Sequence, residues 1–415
     1  MSWIKKSQEE IRSQIFEALS KNVNYQQESI IGLPASYLDD KVFSRDKFNL
    51  NEAPFLHALL TNPNHIGCHT LGSSESYFAG TQEIEREVID ICSQDILKGG
   101  SEQFDGYVAS GGTEANMQAI WMYRNYFMRE EGARQNQIAI LCSEDSHYSM
   151  AKASNILSID IYKARVDFDT RELSEENVLD AVQQAKKEGK KYFIVVANMM
   201  TTMFGSVDNL NCISVLKKEK LSYKLHVDGA YGGFYYPFIN TNSNELFFSN
   251  PDVSSVTLDA HKMAQAPYGT GIFLARKGLM QYATTKEASY VEGEDCTLIG
   301  SRSGANAIAI WMILSAYGPN GWREKMSVLQ NRTNYLCEKL KELSVDFYRN
   351  PSSNIVTIKS DFLNNELTKC FGLVPDNHHN PLWFKIVVME HVTIEKLDSF
   401  IDGVKNLVNS DNTVK

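Results

Sequence analysis

The chain has no run of apolar residues near the roughly 18 to 20 that a membrane helix requires, so a membrane protein is not expected. Its first residues, MSWIKKSQEE, are charged and lack an apolar core segment, and no secretory signal is read there. Seven cysteines are widely spaced, odd in number and without a CxxC pair, which argues against a disulfide framework or a zinc site. Reduced thiols and a cytoplasmic location are expected. Basic residues are outnumbered, 41 Lys and Arg against 51 Asp and Glu, and they are scattered. A nucleic-acid binder normally shows a basic face, so that class is disfavoured. Internal repeats and low-complexity tracts are also missing, as is the Walker phosphate motif. From residue 350 to 415 there is not one arginine.

What remains is an ordinary globular composition, 43% hydrophobic and 22% charged over 415 residues. Residues 1–30 read as a polar helix with Ile11, Ile15, Phe16 and Leu19 on one face, and 31–75 as irregular. Beyond about residue 80 helices and strands alternate. GYVA, QIAILCS, KYFIVVANM, KLHVDGA, SVTLDA and GIFLAR read as strands, and their Ile/Val/Phe content suits a sheet covered on both faces. A long helical stretch follows around 300–335, then a small α+β unit. The expected division is an N-terminal segment 1–60, a large domain 61–305, and a linking helix with a small C-terminal domain 306–415.

The unusual residues cluster at strand ends, where open α/β sheets bind ligands. Gly111-Gly112-Thr113 joins a strand to a helix and offers free N–H groups to a phosphate; the plainer reading is a tight turn with a threonine cap. His147 follows the second strand and can stack on a flat ring, or be a surface histidine. Asp228, in HVDGA, is costly to bury ionised unless a cation such as a protonated pyridine nitrogen faces it. The plainer role for it is a turn or cap before glycine. Lys262, beside His261, is either an exposed loop lysine or a nucleophilic amine in a mostly apolar pocket. Phosphate turn, ring histidine, pyridine aspartate and Schiff-base lysine, in that order, form the set that pyridoxal phosphate demands.

These segments, GYVASGGTEANMQA, SEDSHYSMAKASNIL, TMFGSVDNL, LHVDGAYGGFYYPF, SVTLDAHKMAQAPYGTGI and IGSRSGA, resemble the group II pyridoxal-phosphate-dependent amino acid decarboxylases, with bacterial histidine and archaeal tyrosine/aspartate decarboxylases as particular likenesses. The resemblance runs from about residue 65 to 405. It implies a type I, aspartate-aminotransferase-like fold with a mainly parallel seven-stranded sheet and a small C-terminal α+β domain. Lys262 would carry the cofactor as a Schiff base, Asp228 would keep its ring nitrogen protonated, and His147 and Ala230 would cover the two ring faces. Gly112, Thr113 and His261 would hold the phosphate, and Thr201 or Thr202, with Thr202 preferred, would lie near the ring oxygen or the carboxylate. Ser301 and the loop 286–300 would reach the neighbouring site of a homodimer, with Tyr290 protonating the substrate carbon. His65 and His69 would fall in the substrate pocket, where packing roles are equally open. Asp259, three residues before the lysine, departs from a neutral phosphate contact in several relatives and is expected to point away.

The expected reaction is decarboxylation of an L-amino acid, histidine or an aromatic one, to a primary amine and CO2. An aminotransferase of this type clamps the α-carboxylate with a small-domain arginine. A decarboxylase gains nothing from that clamp, because it would stabilise the ground state. Arg349 keeps an aminotransferase open. A carbon–carbon aldehyde lyase of the sphingosine-phosphate type and a catalytically silent binding protein compete with decarboxylation as well.

Overall fold

The computed structural model describes residues 29–32, 39, 41–42, 79–240, 245–284 and 295–412. His65, His69, Tyr290, most of the N-terminal segment and residues 285–294 lie outside them.

The large body is built on β1 (Phe104–Ala109), β2 (Ile138–Ser143), β3 (Asp160–Ala164), β4 (Tyr192–Asn198), β5 (Ser222–Gly229), β6 (Val253–Asp259) and β7 (Gly271–Arg276). They form one sheet in the order β1-β7-β6-β5-β4-β2-β3. The pairs from β3 to β6 are parallel, and β7 runs antiparallel to both neighbours. The carboxyl ends of β1, β2, β4, β5 and β6 therefore share one edge of the sheet.

Strand alternation divides the core. Ala139 and Leu141 of β2, with Phe193, Val195 and Ala197 of β4, belong to one cluster, which includes α1 (Ala79–Asp90), α4 (Glu175–Lys187) and α5 (Asn211–Lys218). Ile138, Ile140, Ile194 and Val196 point the other way, against α2 (Gly112–Glu130) and α3 (Ser149–Leu157). Each fully buried aliphatic side chain of this kind contributes about 2 kcal/mol. β3 is absent from the strands read in sequence because exposed Asp160 and Lys163 interrupt its apolar residues, as suits an edge strand.

A long helix, α6 (Gly304–Glu342), links this body to the second sheet and is kinked where Gly318 adopts φ 61 before Pro319. The second sheet is antiparallel, in the order β10 (Val374–Pro375), β11 (Trp383–Val387), β9 (Ile355–Lys359), β8 (Phe347–Tyr348). α7 (Asn365–Cys370) and α8 (Ile394–Asn412) flank it. Ile31 is buried in this smaller core and bonds through its backbone to Phe371 and Val387. No helix among the described residues is long and apolar enough to cross a membrane.

Candidate active site

Four strand ends, those of β1, β2, β5 and β6, converge on a cavity of about 310 Å3, within the range of small-molecule sites. Gly111 caps α2 without any side-chain bond, so the threonine-cap reading of the turn is not what forms. Instead Glu114 folds back: its Oε2 accepts from the Ser110 N–H at 2.7 Å and its Oε1 from the Tyr107 hydroxyl at 2.9 Å. Residues 110–114, at the α2 terminus, line the cavity. A Cβ at Gly112 would meet Asp259 Oδ2 at 2.8 Å and the Ala230 methyl at 2.9 Å, so only glycine leaves the cradle open.

Lys262, His147 and Ala230 line this cavity with Gly112, Thr113 and His261. An adjoining recess is lined by His147, Asp228, Ala230, Lys262, Thr201 and Thr202. Residues far apart in the chain are thereby joined. His147 is half-buried; desolvation holds its ring below the usual histidine range, and the Lys262 charge acts in the same direction against the pull of Asp228. Burial likewise depresses His261, whose ring lies 5.1 Å from that of Tyr268. Asp228 is 7% exposed; its Oδ1 accepts from the Ala230 N–H at 3.1 Å and its Oδ2 from Asn116 Nδ2 at 2.9 Å.

Two expectations are corrected. Lys262 does not sit against an apolar wall, and Asp259 does not point away: Asp259 Oδ2 is 3.1 Å from Lys262 Nζ and 3.6 Å from His261 Nε2. The turn that closes β6 brings the side chains of residues 259 and 262 onto one face. Ser301 is exposed and is not among the residues lining either recess of its own chain. Of the two threonines, Thr201 is buried with its hydroxyl 2.7 Å from Ser206 Oγ, while Thr202 is exposed at the recess. Met200, just before them, is held at φ 71, a left-handed conformation that costs a non-glycine residue of order 1 kcal/mol or more and marks the turn as over-determined.

Sequence reasoning missed Asn116, Tyr148, Asn198 and Lys385. Asn116 was within reach, since it lies one helical turn beyond Gly112 on the same face. Lys385 was not: it comes from β11, is 4% exposed, and donates from Nζ to the Thr202 carbonyl at 2.9 Å. Burial, with Lys262 nearby, lowers its pKa to about 8. Arg349 is turned to its own loop and to α6, donating to the Ser353 carbonyl at 3.0 Å and to Asn334 Oδ1 at 2.7 Å.

The site fits pyridoxal phosphate by three features. A glycine cradle lies at a helix terminus, a lysine amine stands within it, and buried His261 Nδ1 has no partner among the described residues.

The conserved-domain model of pyridoxal-dependent decarboxylases matches residues 64–356. A tryptophan decarboxylase of Clostridium sporogenes is 50% identical over 402 residues, 96% of each chain. A probable L-tyrosine/L-aspartate decarboxylase of Methanococcus maripaludis is 30% identical, over 79% of this chain and 85% of its own. Among solved structures, L-methionine decarboxylase of Streptomyces sp. 590 superimposes with a TM-score of 0.76 at 20% identity, covering 96% of both chains. The sphingosine-1-phosphate lyase of Burkholderia pseudomallei gives 0.78 at 17% identity, covering 99% and 92%. These matches correct the fold assignment. The architecture is that of the pyridoxal-dependent decarboxylases and lyases, in place of the expected type I, aspartate-aminotransferase-like designation. That designation was implied by the resemblance to the decarboxylases; strand and helix alternation, common to many open α/β sheets, does not bear on it.

Proposed function

Because the chain belongs to the pyridoxal-dependent decarboxylase family, and is a pyridoxal-phosphate carboxy-lyase releasing a primary amine and CO2 from an amino acid, we propose that its substrate is an aromatic L-amino acid, L-tryptophan first. The observation that carries this is the half-identity to a tryptophan decarboxylase along nearly the whole chain.

In this reading Lys262 would hold the cofactor through its amine, and Gly112, Thr113 and His261 would hold the phosphate. Asp228 would keep a proton on the ring nitrogen, with His147 and Ala230 on the two ring faces and Thr202 beside the ring oxygen or the substrate carboxylate. When bound, pyridoxal phosphate supplies the electron sink for the pair left behind as CO2 departs. Arg349 supports decarboxylation over transamination, because its guanidinium is occupied in its own loop and does not clamp a carboxylate at the site. Tyr290 would deliver a proton from its hydroxyl to the substrate carbon, and His65 and His69 would touch the substrate. We further propose a cytoplasmic homodimer in which Ser301 and the loop 286–300 serve the neighbouring site. The division into an N-terminal segment 1–60, a cofactor domain 61–305 and a linking helix with small domain 306–415 belongs to the same reading.

The experiment is a panel of L-amino acids with CO2 and amine detection on the pyridoxal-phosphate-loaded protein. Tryptamine and CO2 from tryptophan are expected, and lost by about 10³-fold or more in Lys262→Ala. Turnover confined to histidine would displace the aromatic assignment, and aldehyde without CO2 would replace decarboxylation by lyase chemistry.

A further inference from the structure

We propose that Asn116 and His226 are positioning residues for the reaction: they end a one-way chain of hydrogen-bond donors that fixes Asp228 as a pure acceptor and, by a branch, sets the ring of His147. The inference rests on the reading that Asp228 serves the cofactor ring nitrogen.

The direction of every bond follows from its neighbours. The carboxylate of Asp228 only accepts, so the group 2.9 Å from Oδ2 must be the Asn116 amide nitrogen. That fixes the amide, and Asn116 Oδ1 then faces His226 Nε2 at 2.9 Å. A carbonyl oxygen also only accepts, so the His226 proton is on Nε2, and Thr257 Oγ1 lies 3.3 Å from the same nitrogen. His226 Nδ1 is left as an acceptor, and Ser255 Oγ, 2.7 Å away, must donate to it. The Tyr123 hydroxyl donates in turn to Ser255 Oγ at 2.6 Å. Every member of this chain is buried.

The second N–H of the same amide goes to Ser149 Oγ at 3.0 Å. Ser149 Oγ is 2.9 Å from His147 Nδ1, and the Ser149 backbone N–H points at that nitrogen from 3.3 Å. Because a backbone N–H can only donate, His147 Nδ1 is the acceptor and its proton lies on Nε2. One asparagine thus orients the aspartate and the histidine that flank the same recess. Burial also holds His226 down to about 4, which keeps it a neutral link through the neutral range. A chain of aligned donors in a low-dielectric interior favours the charged acceptor at its end.

Two measurements test this. In ¹⁵N-histidine NMR of the cofactor-free protein, with the signal assigned through His226→Gln, His226 should be neutral with its proton on Nε2; a proton on Nδ1, or on both nitrogens, overturns the chain. Asn116→Asp keeps the shape but replaces the donor with an acceptor. It should lower kcat and weaken pyridoxal phosphate binding, followed by fluorescence, each by about 10- to 100-fold. Activity should partly return as pH falls and the new carboxyl takes a proton, a recovery that a packing defect would not give. Unchanged kcat and cofactor affinity in Asn116→Asp overturn the proposal. Asp228→Asn separates the two readings: if it alone loses cofactor affinity while Asn116→Asp does not, the chain is wrong and the aspartate's role stands. If Asp228→Asn binds and turns over normally, the role of Asp228 falls, and the proposal with it.

Discussion

Asp259 Oδ2 and Lys262 Nζ stand 3.1 Å apart across the single turn that closes β6, inside the cradle formed by the α2 terminus. The acid is 2% exposed and its other oxygen has no partner among the described residues, so it presents a negative charge to the place where a phosphate is expected. At about 5 Å and an effective dielectric of about 20 the repulsion between unit charges is about 3 kcal/mol, part of which Lys262 beside the acid offsets. Asp259→Asn should therefore bind inorganic phosphate about tenfold more tightly in the cofactor-free protein at low salt. Calorimetric titration checks this; weaker binding in the variant would show that Asp259 serves the cradle by holding Lys262 in place.

Lys385 ties the smaller sheet to the turn that carries Thr202. Its pKa is lowered to about 8, so the amine loses its charge as pH rises through that value and the bond to the Thr202 carbonyl loses its charge assistance. Lys385→Met should reduce kcat/KM by about tenfold near neutral pH. The wild-type rate should decline above about pH 8, and the variant's profile should lack that limb. Identical pH–rate profiles would rule out a part for Lys385.

Arg349 tests the argument against transamination. Its bonds to Ser353 and Asn334 make it a brace for the loop ahead of β9. Arg349→Ala should cost about 1–3 kcal/mol in urea unfolding and leave KM for the amino acid within about threefold of the parent. A large rise in KM would instead identify it as a carboxylate clamp.

Two buried groups give opposite pH dependences of stability. Burial holds His391 at about 4, against the ordinary 6.5 of the unfolded chain. The unfolded state binds the extra proton between these values, so this contribution is lost as pH falls from about 6.5 to about 4. Burial raises Asp208 from 3.8 to about 7, so its contribution is present at low pH and lost as pH rises through about 7. Urea midpoints measured from pH 4 to 8 should flatten on the acid side in His391→Gln. In Asp208→Asn they should lose the decline toward neutral pH.

The chain itself determined the strands that are apolar on both sides, and it marked the candidate site residues by their position just past those strands. That Gly112, His147, Asp228 and Lys262 come together was legible because each follows an apolar strand, and parallel strands put their carboxyl ends together. The edge strand β3 was not legible, since exposed Asp160 and Lys163 break its apolar run. Asp259's direction, the burial of Thr201 against the exposure of Thr202, and the hydrogen bonds of Asn116, His226 and Lys385 were decided by tertiary structure alone. Hydrogen-bond geometry acts over about 3 Å between atoms that can be more than a hundred residues apart along the chain, and it is the packing of the sheet, helices and smaller domain that sets those distances.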